Sequence, residues 1–458
     1  MIEIAEGIDV RKCFDKEVLG FLKKYKEKAE PIEVSFRKLV PELYKTDRAT
    51  HLIHTYPAKL LMHIPHFFLN NNIFSREGDL ILDPFSGSGT VMLESVLAGR
   101  NAVGADANPL ARLISSVKVT NYNTETLKLH LENLRKDFSK TGDVIVPKIS
   151  NINYWFFPRI QNQMAKISHI IQNIHDDKIK EFFLVCFSNC VKKLSLADQR
   201  VSVPVRLNPA RYPETHPLFT ETSKKLAGLE YIDVFEKFEE TVRSNINRFI
   251  NLSKLFSRGV SAKIISDDAR KIIDGNAQIQ GIKKESVSLI ISSPPYAGAQ
   301  KYIRSSSLSL GWLNFLKTVD SLKEFDSYNI GRENYQRKDY CILKKTNVAE
   351  ADVLLEEIFK INPLRAHIAG NYLREMRSAF EESVKALKQD GYFILIVANN
   401  KVCGMEFRTQ EYLTKIMLNL GMKLQLELID DIKSYGLMTK RNKTASVITR
   451  EWVLVFKK

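Results

Sequence analysis

Ile81-Leu82-Asp83-Pro84-Phe85-Ser86-Gly87-Ser88-Gly89-Thr90 and, far downstream, Ser293-Pro294-Pro295-Tyr296 decide how this chain reads. Each closes an apolar run of strand character: Leu80-Ile81-Leu82 before the first, Val287-Ser288-Leu289-Ile290-Ile291 before the second. Gly87 and Gly89 permit a tight turn and a close backbone approach to a bound molecule, because neither carries a Cβ. The helix expected from Thr90 points its N-terminal amides at an anionic group such as a carboxylate. In the second stretch, a serine, two prolines and a flat ring make a stiff turn with its carbonyls aimed one way. Asp106, at the end of the next expected strand, is placed to accept hydrogen bonds from ribose hydroxyls. A dinucleotide-dependent oxidoreductase would share strand, turn and acid. Its Gly-x-Gly-x-x-Gly pattern fails here, since Met92 stands where the third glycine belongs.

The two stretches resemble motifs I and IV of the amino-methylating DNA methyltransferases, which modify N4 of cytosine or N6 of adenine. His54-Thr55-Tyr56-Pro57-Ala58-Lys59 is similar to the motif that precedes motif I and packs against the cofactor. Gly104-Ala105-Asp106-Ala107-Asn108-Pro109-Leu110-Ala111 is similar to motif II. The likeness covers roughly residues 50–120 and 262–458. It implies S-adenosylmethionine as cofactor, bound by Tyr56, Pro57, Lys59, Asp83, Pro84, Phe85, Gly87, Gly89, Thr90, Asp106 and Asn108. Asp268 ends the third expected strand and is placed for the adenine amino group, although Asp267 could take that role. The catalytic turn is then Ser293, Pro294, Pro295 and Tyr296.

An exocyclic amine is a poor nucleophile because its lone pair is delocalised into the ring. Acceptors such as Ser293 Oγ and the Pro294 carbonyl help localise that pair on nitrogen. Tyr296 offers a face for a flipped-out base. In the family, serine at the first position goes mostly with cytosine-N4 enzymes and aspartate with adenine-N6 enzymes. Cytosine N4 is therefore the expected target and adenine N6 the alternative. Methylation at cytosine C5 needs an attacking thiolate, usually in a Pro-Cys pair, and no proline in this chain precedes a cysteine. An RNA guanine-N2 enzyme would normally bring an RNA-binding N-terminal domain, for which residues 1–50 are too short. A non-catalytic DNA-binding subunit that kept the fold is the rival of another class.

A net charge of +15 and a pI near 9.3 suit a polyanionic partner. Double-stranded DNA is the expected one, with a cognate restriction endonuclease as a candidate partner. For DNA contact the stretch after the catalytic turn supplies Gln300, Lys301, Tyr302 and Arg304, and the expected terminal hairpin supplies Lys440 and Arg441. Five scattered cysteines fit a reducing compartment, with Cys186 and Cys190 as core residues and no metal site. No apolar run is long enough to span a membrane, and the first residues do not read as a leader. A cytoplasmic, nucleoid-associated bacterial or archaeal protein is the expectation.

Strands are expected at 79–83, 101–106, 262–266, 287–292, 392–398, 422–430 and 451–457, the last two as an antiparallel hairpin. The fold class is α/β, a Rossmann-like methyltransferase fold with a seven-stranded, mostly parallel sheet. Residues 1–50 read as a helical segment with Phe14, Leu19, Phe21 and Leu22 as its buried stripe. Residues 51–120 and 259–458 form the catalytic domain. The mainly helical insertion 121–258 is the favoured target-recognition region, helped by Arg200, Arg206 and Arg211 in one loop, with 297–366 as second candidate.

Overall fold

Along each central strand, alternate apolar residues leave the sheet on opposite sides, as the two-residue period of a strand requires. Ile81, Leu289, Ile291, Ile394, Ile396, Val453 and Val455 share one hydrophobic cluster, while Leu82, Ile290, Phe393, Leu395, Leu454 and Phe456 share another. A sheet apolar on both faces must be covered on both.

The computed structural model describes residues 13–43, 48–57, 59–274, 280–298, 302–316, 318, 321–431 and 449–458. The strands are β1 (Ile32–Val34), β2 (Leu80–Asp83), β3 (Asn101–Ala105), β4 (Ala262–Ser266), β5 (Val287–Ser292), β6 (Leu387–Val397), β7 (Asn400–Val402), β8 (Met405–Phe407), β9 (Lys423–Asp431) and β10 (Arg450–Lys457). Eight of them form one sheet in the order β1-β9-β10-β6-β5-β2-β3-β4, and β7 with β8 makes a small separate hairpin. β6 through β4 run parallel, whereas β10 is antiparallel to both β6 and β9. This is the Rossmann-like methyltransferase arrangement, with all seven expected strands in the sheet.

β1 is an addition at the edge, parallel to β9, inside the segment read as wholly helical. Three residues are too few to carry a readable alternation. The helix Asp15–Lys28 buries Phe14 and Val18 and leaves Leu19 exposed, so the buried stripe is turned by one residue from the expected one. Phe21, Leu22 and Tyr25 pack partly against that stripe, and positions 14, 18, 21, 22 and 25 follow the helical period that Leu19 breaks.

Helices Ala349–Ile361, Pro363–Ala386 and Thr409–Asn419 cover one face of the sheet. The other carries the N-terminal elements and the helices Thr90–Leu97 and Pro109–Val119. Between β3 and β4 the insertion adds Thr124–Lys140, Pro158–Gln172, Asp177–Leu194, Pro217–Tyr231 and Val234–Leu255. Its apolar core is continuous with the helices packed on β3, and Cys186 and Cys190 lie buried within it. Among the described residues, no helix is long and apolar enough to cross a membrane.

Candidate active site

β2 and β5 are neighbours, with Ile81 opposite Leu289 and Leu82 opposite Ile290. Both sequence stretches therefore start from the carboxyl ends of adjacent strands, where open α/β sheets bind ligands. One acid ties the two loops together. Asp83, buried at the end of β2, accepts the Ser292 hydroxyl at 2.7 Å and the Phe85 N–H at 3.1 Å. Burial raises its pKa to about 7 against the pull of those two hydrogen bonds.

The turn after Asp83 needs its glycines. Gly87 and Gly89 have φ of 51° and 76°, and a Cβ on Gly89 would sit 3.0 Å from the Ser115 Cα. The Gly87 N–H donates to Asp106 Oδ2 at 2.9 Å, and the Asn108 N–H to Oδ1 at 2.8 Å. Asp106 thus braces the turn while each oxygen keeps a further lone pair. Burial raises its pKa, opposed by the same two bonds. Asn108 caps the helix Pro109–Val119 by accepting the Leu110 N–H at 3.0 Å. Its amide donates to the Tyr56 hydroxyl at 3.1 Å and to Ser306 Oγ at 3.0 Å.

These groups surround one cleft. From the cofactor set, Tyr56, Pro84, Phe85, Gly87, Asp106 and Asp268 line it, and from the catalytic turn, Ser293 and Pro295. Asp268 is gripped by Arg270 through both oxygens, at 2.8 and 3.0 Å. Asp267 does not line the cleft and acts electrostatically on Arg112. Gly89 and Thr90 are buried behind the turn, and Pro294 is buried beneath its own. Pro57 is half-buried and outside the lining. Lys59 bonds the His51 and His54 carbonyls, at 3.2 and 2.5 Å, and lines a different cavity. Tyr296 is also outside the lining; its hydroxyl donates to Glu451 on β10 at 3.3 Å.

Of the residues assigned to DNA, Tyr302 lines the cleft itself. Arg304 is exposed on the helix Tyr302–Trp312. Arg206 lies over the Tyr154 ring at 4.7 Å and donates to the Tyr154 carbonyl, while Arg211 is exposed in the short turn Pro209–Arg211. Arg200 is held by Asp198 through both carboxylate oxygens. Gln300, Lys301, Lys440 and Arg441 lie outside the described residues. The sequence reading missed Tyr328, Asn329 and Ile330, which complete the lining from the second insertion. No local pattern marks them, because only tertiary packing brings them here.

The cleft suits a cofactor with a ribose, a flat base and a charged tail. Asp106 offers acceptors, Phe85, Ala269 and Ile330 offer apolar walls, and Ser86 Oγ is buried beside the turn with no hydrogen-bond partner among the described residues. A family model described as DNA methylase matches residues 23–115. The chain is 23% identical to the Type II methyltransferase M.MvaI of Kocuria varians over 381 residues, 78% of each chain. It is 24% identical to the Type II methyltransferase M.BsoBI of Geobacillus stearothermophilus, over 90% of this chain and 87% of that one. With the Type II methyltransferase M.MjaII of Methanocaldococcus jannaschii it shares 30% identity over 162 residues, a third of this chain. The cofactor that goes with this kinship is S-adenosylmethionine.

Proposed function

Because the chain is a relative of the S-adenosylmethionine-dependent DNA methyltransferases, we propose that it methylates the exocyclic N4 of cytosine in double-stranded DNA, as the modifying half of a restriction-modification system. One observation carries the reading: Ser293 and Pro295 line the same cleft as Gly87 and Asp106. A target amine held at the first pair faces whatever the second pair holds. The cofactor, when bound, supplies an electrophilic methyl group on sulfur.

The chain's own residues do the rest. Asp106 accepts the ribose hydroxyls with the lone pairs that Gly87 and Asn108 leave open. Tyr56, fixed by Asn108, closes one wall, and Asp268 stands at the far side, aligned by Arg270. Ser293 Oγ and the Pro294 carbonyl accept the amine hydrogens and so favour a localised nitrogen lone pair. Asp83 keeps this turn in register with the cofactor turn through Ser292. Serine at position 293 is what favours cytosine over adenine here.

The test is the product. DNA from a methylation-deficient host expressing the protein, digested to nucleosides, should contain N4-methylcytosine by mass spectrometry. Ser293→Ala should lower its yield while cofactor binding persists. N6-methyladenine instead would move the reading to adenine, and cofactor binding with no methylated base would favour a non-catalytic subunit.

A further inference from the structure

Next to the cleft lies a second cavity of about 390 Å³, walled by residues of the 52–59 segment and by the helices Asp177–Leu194 and Val234–Leu255. Its charge is lopsided. Among the described residues that line it, Lys59, Lys193, Lys237 and Arg248 are cationic and Glu240 is the one carboxylate, paired with Lys237 at 2.5 Å; Lys59 and Arg248 make further interactions of their own. Lys193 has no ion-pair partner among the described residues.

His54 also lines this cavity and is 6% exposed. Its Nε2 bonds Ser188 Oγ at 3.0 Å, while its buried Nδ1 has no hydrogen-bond partner among the described residues. Burial first, then the charges of Lys59, Lys118 and Lys193, push its pKa down to about 3, so the ring is neutral near pH 7. A buried ring nitrogen without a partner costs free energy, and a ligand atom that reached it would remove that cost. Thr55 keeps the wall in place, its N–H and hydroxyl both reaching Asn189 Oδ1 at 3.1 Å.

We propose that this cavity seats backbone phosphates of the DNA duplex beside the target nucleotide, an inference that rests on the methyltransferase reading above. Two features favour a phosphodiester chain over a free phosphate. Lys237 and Arg248 stand about 16 Å apart along one helix axis at the usual rise per residue, a span for several successive phosphates. The wall is also shared with the cleft: Tyr56 lines the cleft while His54, Thr55 and Lys59 line the cavity.

The experiment is a titration of a fluorescein-labelled DNA duplex with the full chain over a range of NaCl concentrations. The paired substitution Lys193→Glu and Arg248→Glu should weaken binding by at least about tenfold and flatten the slope of log K against log salt by ~0.9 per lost phosphate contact. S-adenosylmethionine affinity, read by calorimetry, should stay unchanged and thereby report an intact fold. Lys193→Gln with Arg248→Gln replaces the pair if charge reversal prevents folding. An unaltered slope and affinity in the variant overturns the proposal. So does loss in the variant of inorganic phosphate binding alone, with DNA binding untouched. Failure of the wild-type chain to bind any duplex would overturn the methyltransferase reading itself.

Discussion

Asp106 braces the turn with both oxygens of one carboxylate, and in the proposed function it also takes the ribose hydroxyls. It is partly buried, its two oxygens take the Gly87 and Asn108 amides, and it lines the cleft. Asp106→Ala should cost about 1.5–3 kcal/mol for each charge-assisted hydrogen bond lost to the cofactor, and calorimetric titration that finds unchanged affinity would remove it from the site. Asp83 makes a different demand. Its pKa in the folded chain is near 7, above the ~3.9 of an unfolded aspartate. The protonated acid therefore favours the fold fully below about pH 4, and that contribution is lost as pH rises through 7. Asp83→Asn cannot ionise, so its stability relative to wild type should improve from about pH 5 to about pH 8. Denaturation midpoints whose difference stays flat across that range would contradict this. Both acids were readable as strand-end groups, but the Asp83–Ser292 bond was not, because it joins positions whose neighbourhood exists only after β2 pairs with β5.

The helix Thr90–Leu97 explains how the segment 48–57, far upstream of it, is anchored. All eight of its residues are buried, including Glu94. Glu94 takes Arg48 and the rings of His51 and His66, the two histidines at 2.7 and 2.9 Å. Burial opposes its charge, yet Arg48, His51 and His66 hold its pKa well below the usual carboxylate range. Its contribution to stability is thus present at neutral pH and lost only as pH falls through that depressed value. Replacing one partner of such a buried set leaves charges uncompensated, at about 3–5 kcal/mol. Glu94→Gln should therefore lower the midpoint of chemical denaturation and loosen the 48–59 segment that carries Tyr56. An unchanged midpoint would mean that Arg48 and the histidines find other partners. One charged residue in an otherwise uncharged, mostly apolar octet was the available signal, and its partners, far off in sequence, were not deducible from it. Elements with a clear period were legible almost to the residue: β4 and β5 span the expected 262–266 and 287–292. The short edge strand β1 and the hairpin β7–β8 were missed because three residues show no period.

At the scale of the whole molecule, the sheet was legible because its strands end in chemically distinctive turns, and so was the meeting of those turns at one cleft. The second insertion's share, Tyr328 to Ile330, arises from packing against a site built elsewhere in the chain. β2 sits at the centre of the sheet, between β3, which follows at once, and β5, which is encoded far later. On a ribosome moving at ~5–20 residues per second, the roughly two hundred residues between them take about 10–40 s. Throughout that wait the strand that carries the glycine turn has one edge open and its apolar side chains uncovered on one face. The helical insertion emerges in the same interval. Synthesis of this chain therefore passes through a long-lived half-sheet, and its yield in a cell depends on how well that interval is guarded against association with other chains.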